Sequence, residues 1–387
     1  MLTLVYISSI LIVILSVIFQ NTLLFVINNG NVLKTYSKLP QKTCEVLKVK
    51  ELKGCTQIKQ LQGTAYTFAI CENQLDAELG EFFNPFKYFG LNKISGELKS
   101  YNLKMKNFNK IEFKNLPKSL KLQPVGYGFK IRKDTHVIVD FYIINKAELI
   151  GYSVEQFEFH IIHSTFTHVK SIQNPKLLKN PTDLTVIDQN EFLLINSHQQ
   201  SHGIKRSLEA LGAFSGGSII KYNDGELTAE VSGLYGPKSI LSNWDKSLIY
   251  VLESFKGKLL TYSRDEEYGD LNLKEEVNLG FMPVSLTQIP KTGELYAVGP
   301  TQYHTILANQ LANFAKFKLD LPIPFQVQNI KNETSENIFF GHKYQLTEDL
   351  KDNGESYLLP TDIEWVNKGE VLLSSIHEDK GALLCKV

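Results

Sequence analysis

Short apolar runs alternate with polar turns along most of this chain, and one version of that pattern recurs. Its clearest copy is residues 181–198, PTDLTVIDQNEFLLINSH, in which two apolar runs flank a polar turn at Asp188–Asn190. Two short β-type runs joined by Asn, Asp, Gly or Lys residues are typical of a β-hairpin. Further copies occupy residues 124–143, 239–253, 283–299 and 360–375, and a fainter copy occupies 62–71.

The spacing of these hairpins predicts the architecture. The copies lie roughly 45–75 residues apart, which leaves room for a four-stranded unit in each repeat. An all-β repeat of that period is typical of a propeller. Six copies fit between residue 44 and the end of the chain. The sequence therefore predicts an all-β fold, a six-bladed β-propeller over residues 44–387.

The residues before the repeats have a different composition. The run from Leu2 to Ile27 carries no charge, and as a helix it would span about 39 Å, enough to cross a hydrocarbon core of about 30 Å. It lacks the basic start, the short apolar region and the A-x-A site of a cleaved signal peptide. We predict a single-pass transmembrane anchor over residues 1–28 and a tether over residues 29–43.

Two signals bear on the orientation of this anchor, and they disagree. Lys34, Lys38 and Lys42 follow the apolar run, which by the positive-inside rule favours the cytoplasmic or matrix side for the tether. A disulfide in the folded region would instead require an oxidising compartment. The orientation stays open between these two readings.

Charge and motifs exclude several classes of function. Lys and Arg number 41 and Asp and Glu number 41, so the chain has no excess of positive charge for binding nucleic acid. The sequence contains no G-x-S-x-G, H-E-x-x-H or G-x-G-x-x-G motif, the signatures of many serine hydrolases, zinc peptidases and dinucleotide-binding domains.

The four cysteines, Cys44, Cys55, Cys71 and Cys385, have no zinc-binding spacing. Cys44 begins the repeat region and Cys385 lies near its end. Because a propeller brings its first and last strands together, these two could form a disulfide that closes the ring; the alternative is a pair of buried free thiols. The pairing of Cys55 and Cys71 stays open.

Four stretches of the sequence together resemble a known family. The opening CEVLKVKELKG, the phrase NPTDLTVIDQNEFLLINSH, the turn PKTGELYAVG and the ending HEDKGALLCKV are together similar to the paraoxonase/arylesterase family, in the same order along residues 44–387. The resemblance implies a six-bladed propeller, a retained hydrophobic leader and a disulfide between Cys44 and Cys385. It also implies a calcium-dependent lactonase and esterase with two ions in the central tunnel.

The positions that carry this chemistry in the family are mostly altered. A calcium ion takes six to eight oxygen ligands, mainly carboxylates and amides. The corresponding positions here hold Cys55, Thr56, Val125, Lys146, Thr182, Asp183, His198, Pro237, Met282 and Pro283. Only Asp183 and His198 keep the family's residue type. We therefore expect calcium to be lost and Asp183 to be a weak metal candidate at best, because an aspartate after Pro-Thr commonly caps a turn, as Asp362 would.

A few other residues could have a role. His198 and His202 are four residues apart, but they follow a strand without an acidic or thiol companion, so we interpret them as exposed loop residues. Asn332 begins a glycosylation sequon, which would be used only in the secretory pathway. Residues 204–212 predict a short helix where the family contacts lipid, and the region from Tyr303 begins with helical spacing of apolar residues.

Three functions remain as hypotheses. The first is a membrane-anchored propeller that has lost catalysis and acts as a scaffold or accessory subunit of a membrane complex, in the mitochondrial intermembrane space or the secretory lumen. The second is an active calcium-dependent lactonase or arylesterase. The third is a propeller that binds a small ligand in its altered tunnel. Under the first hypothesis we expect the lipid bilayer and other membrane subunits as partners, and neither a small-molecule substrate nor nucleic acid.

Overall fold

Each recurring hairpin forms the two innermost strands of one β-sheet, and there are six such sheets, as the repeats predict. A computed structural model gives the structure of the chain and describes residues 44–47, 52, 54–72, 96–103, 105–147, 151–200, 205, 209, 214–314, 321–332, 344–357, 359–367, 369–375 and 381–387. Among these residues no helix is long and apolar enough to cross a membrane. The predicted anchor and tether, residues 1–28 and 29–43, lie outside them.

Each blade has four strands, named A to D from the innermost to the outermost. Blade 1 consists of β2 (Cys55–Gln60), β3 (Tyr66–Glu72), β4 (Gly96–Asn102) and β5 (Asn107–Asn109). Blade 2 consists of β7 (Pro124–Ile131), β8 (Ile138–Ala147), β9 (Gly151–His160) and β10 (Thr165–Gln173), with the short β6 (Glu112–Lys114) parallel to β10 at its edge. Blade 3 consists of β11 (Pro181–Asp188), β12 (Glu191–Asn196), β13 (Gly217–Asn223) and β14 (Glu226–Leu234).

The remaining blades follow the same order. Blade 4 consists of β15 (Pro237–Ser242), β16 (Leu248–Glu253), β17 (Lys258–Arg264) and β18 (Leu271–Asn278). Blade 5 consists of β19 (Ser285–Gln288), β20 (Leu295–Pro300), β21 (Phe325–Asn332) and β22 (Tyr344–Asp352). Blade 6 consists of β23 (Asp362–Asn367), β24 (Glu370–Ser374), β25 (Ala382–Lys386) and, as its outermost strand, β1 (Cys44–Leu47).

Blade 6 joins the two ends of the repeat region. Strand β1 pairs antiparallel with β25, and Cys44 lies opposite Cys385 and is bonded to it. The predicted ring-closing disulfide is confirmed. A second disulfide joins Cys55 to Cys71, which lie opposite each other on β2 and β3 of blade 1. Two disulfides are consistent with an oxidising compartment.

The hydrophobic core is divided into layers between neighbouring blades. Six buried clusters each combine side chains of two adjacent blades. The layer between blades 1 and 2 is rich in aromatic residues: Phe68 meets Phe141 and Phe159 edge to face, with ring centroids 5.1 and 5.2 Å apart. Because each blade packs on both of its faces, its middle strands are almost continuously apolar, as in FLLI of β12.

Two longer connections lie between B and C strands. The helix α1 (Tyr303–Phe314) joins β20 to β21, as the apolar spacing from Tyr303 predicts. It packs through Tyr303 and Ile306 against Phe255, which lies in the 3-10 turn Ser254–Lys256 of the equivalent connection in blade 4. Of the short helix predicted over residues 204–212, only Lys205 and Glu209 are described, both helical.

The order of the strands gives the ring two different faces. The A–B and C–D turns lie on one face, which we call the turn face. The B–C and D–A connections, including α1 and the described residues Lys205 and Glu209, lie on the opposite face, which we call the connection face. Because β1 is a D strand, it begins at the turn face, where Cys44 meets Cys385. Residues 1–43 therefore join the propeller at the turn face.

Candidate functional site at the propeller centre

Polar and apolar side chains alternate along the innermost strands, because successive residues of a strand point to opposite sides. The apolar positions are buried between blades: Ile58, Leu184, Ile240, Leu286 and Ile363. The intervening polar positions meet at the propeller centre, and we call this set the central cluster: Gln57, Lys59, Asp183, Thr185, Ser239, Ser285, Thr287, Asp362 and Glu364.

Asp183 is the most connected member of the central cluster. Its carboxylate is buried, with 7% of the side chain exposed, and both oxygens accept hydrogen bonds from the protein. Oδ1 accepts from Gln57 Nε2 at 2.8 Å, Lys59 Nζ at 2.8 Å and the Leu184 amide at 2.9 Å. Oδ2 accepts from Ser239 Oγ at 3.2 Å and the Ile240 amide at 3.1 Å. These donors come from three different blades.

Asp362 and Glu364 lie two residues apart on β23 and bind blade 1 in the same way. Asp362 Oδ2 accepts from the Ile58 amide at 2.5 Å, and Glu364 Oε1 accepts from the Gln60 amide at 3.0 Å. Their other oxygens accept from hydroxyls of blade 5: Ser285 Oγ bonds Asp362, and Thr287 Oγ1 lies 3.1 Å from Glu364. Each carboxylate therefore connects blade 6 to both of its neighbours.

The sequence-based interpretation of Asp183 and Asp362 as turn caps is wrong. Both residues lie within A strands, and each accepts a backbone amide from the A strand of the next blade. The A strands run parallel, so their edge amides have no antiparallel partner across the centre. Side-chain oxygens of the central cluster accept hydrogen bonds from these amides. Thr185, for example, accepts from the Ser242 amide at 3.2 Å.

Lys59 supplies the positive charge of the central cluster. Its ammonium donates to Asp183 at 2.8 Å and to the Tyr127 carbonyl at 3.0 Å, and it lies 5.6 Å from the centroid of the Tyr127 ring. Strand β7, which carries Tyr127, packs very close to β11. A Cβ atom on Gly126 would lie 2.6 Å from the Thr182 carbonyl oxygen, so glycine is required for this approach.

Burial changes the protonation of two acids in the cluster. Burial raises the pKa of Asp362 from 3.8 to about 7, although the hydrogen bonds from Ser285 and Ile58 favour the ionised form. Burial also raises the pKa of Glu364 from 4.5 to about 8, and the neighbouring charge of Asp362 adds to the effect. The ammonium of Lys59 lowers both pKa values in part. Near neutral pH, both acids are therefore at least partly protonated.

These shifts predict how stability depends on pH. Between about pH 4 and pH 8 the unfolded chain releases protons that Asp362 and Glu364 retain in the folded state. Their contribution to stability is therefore present below pH 4 and is lost as the pH rises towards 8. We expect the free energy of unfolding, measured with urea at pH 5 and pH 9, to fall with pH less steeply in a D362N/E364Q variant than in the native chain. Equal slopes would contradict these pKa shifts.

Several other residues singled out in the sequence have environments of their own. Cys55, at the start of β2, is bonded to Cys71, so its sulfur is not a ligand. His198 follows β12 and is 2% exposed, so its interpretation as an exposed loop residue is wrong; His202 lies outside the described residues. Asn332 ends β21 and is exposed, while the remainder of its sequon lies outside the described residues.

A second polar cluster, in blade 2, was not predicted. Glu155 on β9 is fully buried and accepts from Ser153 Oγ at 2.6 Å, Ser171 Oγ at 2.5 Å and His168 Nε2 at 2.9 Å. Ser171 and Glu155 both meet the same ring nitrogen of His168. A catalytic relay uses the two ring nitrogens for different partners, so this cluster does not have that geometry.

Family comparison agrees with the architecture. A model of the family described as Arylesterase matches residues 46–319, well over half of the chain. The chain belongs to the arylesterase family. No curated protein matches its sequence. The family match covers blades 1 to 4 and part of blade 5, including β2, which carries Lys59, and β11, which carries Asp183.

Solved structures similar to this family member have low sequence identity to it. A protein of unknown function from Bacteroides thetaiotaomicron has 10% identity and a TM-score of 0.49, covering 91% of this chain and 74% of its own. The calcium-binding protein regucalcin from Agrobacterium tumefaciens has 11% identity and a TM-score of 0.47, covering 91% and 95%. A periplasmic gluconolactonase from Pseudomonas aeruginosa has 10% identity and a TM-score of 0.43, covering 82% and 77%.

The donor set of the central cluster does not fit the calcium that the family implies. Among the described residues, no three His, Cys, Asp or Glu side chains group as ligands of one metal ion. The oxygens of Asp183 already accept from an ammonium, an amide, a hydroxyl and two backbone N–H groups. A calcium ion bound to Asp183 would be repelled by the Lys59 ammonium, which already contacts the same carboxylate.

Proposed function

We propose that this chain is an arylesterase-family propeller that has lost calcium-dependent hydrolysis and acts as a membrane-anchored scaffold or accessory subunit. The observation that carries the proposal is the contact between Lys59 and Asp183. An internal ammonium lies on the aspartate that the family resemblance assigns to calcium. The protein itself thus supplies the cation that balances its central carboxylates.

The other members of the central cluster support a structural role. Asp183, Asp362 and Glu364 each accept backbone amides of a neighbouring blade, and these hydrogen bonds join blades 3 to 4 and 6 to 1. Gln57 Oε1 accepts the Tyr127 amide at 2.9 Å and so joins blades 1 and 2. A catalytic carboxylate must be free to contact the substrate or its metal, whereas these are engaged in holding the ring together.

The anchor, the compartment and the partners complete the proposal. The uncharged run from Leu2 to Ile27 supports insertion into a lipid bilayer. The two disulfides support an oxidising compartment for the propeller, in the mitochondrial intermembrane space or the secretory pathway. A rigid, disulfide-closed ring next to a membrane would serve as a docking platform for other subunits of a membrane complex.

Ester hydrolysis tests the loss of catalysis. We expect the full chain in mild detergent to hydrolyse phenyl acetate and a simple δ-lactone no faster in millimolar calcium than in chelator. A D183N variant, which keeps the shape of the side chain, should have the same background rate. Calcium-stimulated hydrolysis that the chelator and D183N both abolish would establish the alternative, an active lactonase or arylesterase, which the family match favours.

A further inference from the structure

Exposed apolar side chains are concentrated at one face of the ring. Among the described residues, eight large apolar side chains are exposed, and the four most exposed are Met105 at 73%, Ile162 at 70%, Trp244 at 80% and Tyr268 at 67%. Trp244 lies in the A–B turn of blade 4, and the other three lie in the C–D turns of blades 1, 2 and 4. All four are therefore at the turn face.

The N-terminal segment reaches the propeller at the same face. Strand β1 begins there, and Cys44 is fixed to Cys385 by the ring-closing disulfide. The tether of residues 29–43 can span at most about 50 Å even when fully extended. An anchor in the bilayer would thus keep the propeller next to the membrane, with the attachment point at the turn face.

We propose that the turn face rests on the lipid bilayer, with Met105, Ile162, Trp244 and Tyr268 in the interfacial region. This inference rests on the membrane anchor of the proposed function and adds an orientation to it. Trp and Tyr are the residues favoured at the membrane–water interface, where an amphipathic ring meets both lipid and water. These four side chains belong to three of the six blades, so they would contact the bilayer at several points around the ring.

The charged residues beside these four side chains indicate which lipid headgroups the turn face would contact. Lys106 follows Met105 and is exposed, whereas Glu266 and Glu267 precede Tyr268 and are also exposed. Lys246, two residues after Trp244, forms a salt bridge with Asp188 of blade 3. Because these described turns carry no excess of positive charge, we expect them to contact zwitterionic lipid without a requirement for anionic headgroups.

Trp244 provides a direct test, because the chain contains two tryptophans and the other, Trp365, is partly buried and stacks on Tyr296. The full chain would be reconstituted in phosphatidylcholine vesicles with and without brominated lipid, and a W244F variant would supply the Trp365 signal for subtraction. We expect the Trp244 emission to shift to shorter wavelength and to lose most of its intensity to the brominated lipid. In a W244F/F214W control the reporter lies on the connection face, and its emission should persist.

The outcomes test the membrane anchor and the orientation of the turn face separately. If the full chain does not float with the vesicles, the anchor of the proposed function is wrong. If it floats and only the Phe214→Trp reporter is quenched, the connection face with its 204–212 segment meets the lipid, and our orientation is overturned. If it floats and neither reporter is quenched, the turn face does not contact the lipid, and our orientation is overturned. A glycan on Asn332, at the C–D turn of blade 5, would also contradict the proposal.

Discussion

Replacing Lys59 with methionine is expected to lower the free energy of unfolding by about 3 kcal/mol, because it removes the cation from a buried ion pair and leaves its carboxylate uncompensated. The Asp183 side chain is 7% exposed and interacts electrostatically with Asp362, so water does little to stabilise its charge. Methionine retains most of the length of the lysine side chain, and the change therefore isolates the charge. Urea unfolding at pH 7 measures the difference.

Two further variants identify the cause of this loss. A K59M/D183N double variant should recover part of the stability, since the buried charge has been removed together with its partner. A K246M variant removes the same residue type from an ion pair with Asp188, whose side chain is 63% exposed, and should cost less than about 1 kcal/mol. Equal losses in K59M and K246M, or no recovery in the double variant, would show that Lys59 is not the internal cation of the centre.

Removing the ring-closing disulfide is expected to cost more stability than removing the disulfide inside blade 1. Cys44 and Cys385 are 341 residues apart in sequence, whereas Cys55 and Cys71 are 16 residues apart. Because the entropy lost by the unfolded chain grows with loop length, the C44A/C385A variant should lose about 3 kcal/mol more than the C55A/C71A variant. Both pairs join opposed residues of adjacent antiparallel strands, so the second variant is a matched control.

Urea unfolding of the two alanine variants under non-reducing conditions makes this comparison. The C44A/C385A variant should also begin to unfold at blade 6, which would be detected as early hydrogen exchange of β25 amides. A larger loss in C55A/C71A than in C44A/C385A would contradict the dependence on loop length.

The fold could be predicted because its repeat is local. Each A–B hairpin, such as residues 181–198, carries its apolar alternation and its turn residues in one short stretch, and all six hairpins are present in the structure. The Cys44–Cys385 bond followed from ring closure and from the family resemblance. The Cys55–Cys71 bond depends on the register between β2 and β3, which no local pattern in that region specifies.

The central cluster could not be predicted because its members are distant in sequence. Lys59 and Asp183 are separated by 124 positions and meet only after blade 2 has been placed between them. The polar residues at every second position in CTQIKQ and DIEW indicated that each strand has a polar face. The same alternation, however, also fits a strand with one face in water. Comparison with the family located the ligand positions that are substituted here, and it gave no indication that the Lys59 ammonium would lie on Asp183.

The measurement that tests the central claim most directly is a thermal melt of the full chain in mild detergent, with millimolar calcium and with chelator. A ligand bound only to the folded state must stabilise it, by about 2.7 kcal/mol at a hundredfold excess over its dissociation constant. With Lys59 as the internal cation, the two melting temperatures should coincide. A melting temperature that rises with calcium and returns with chelator would show that the centre binds the metal, and that Lys59 does not take its place.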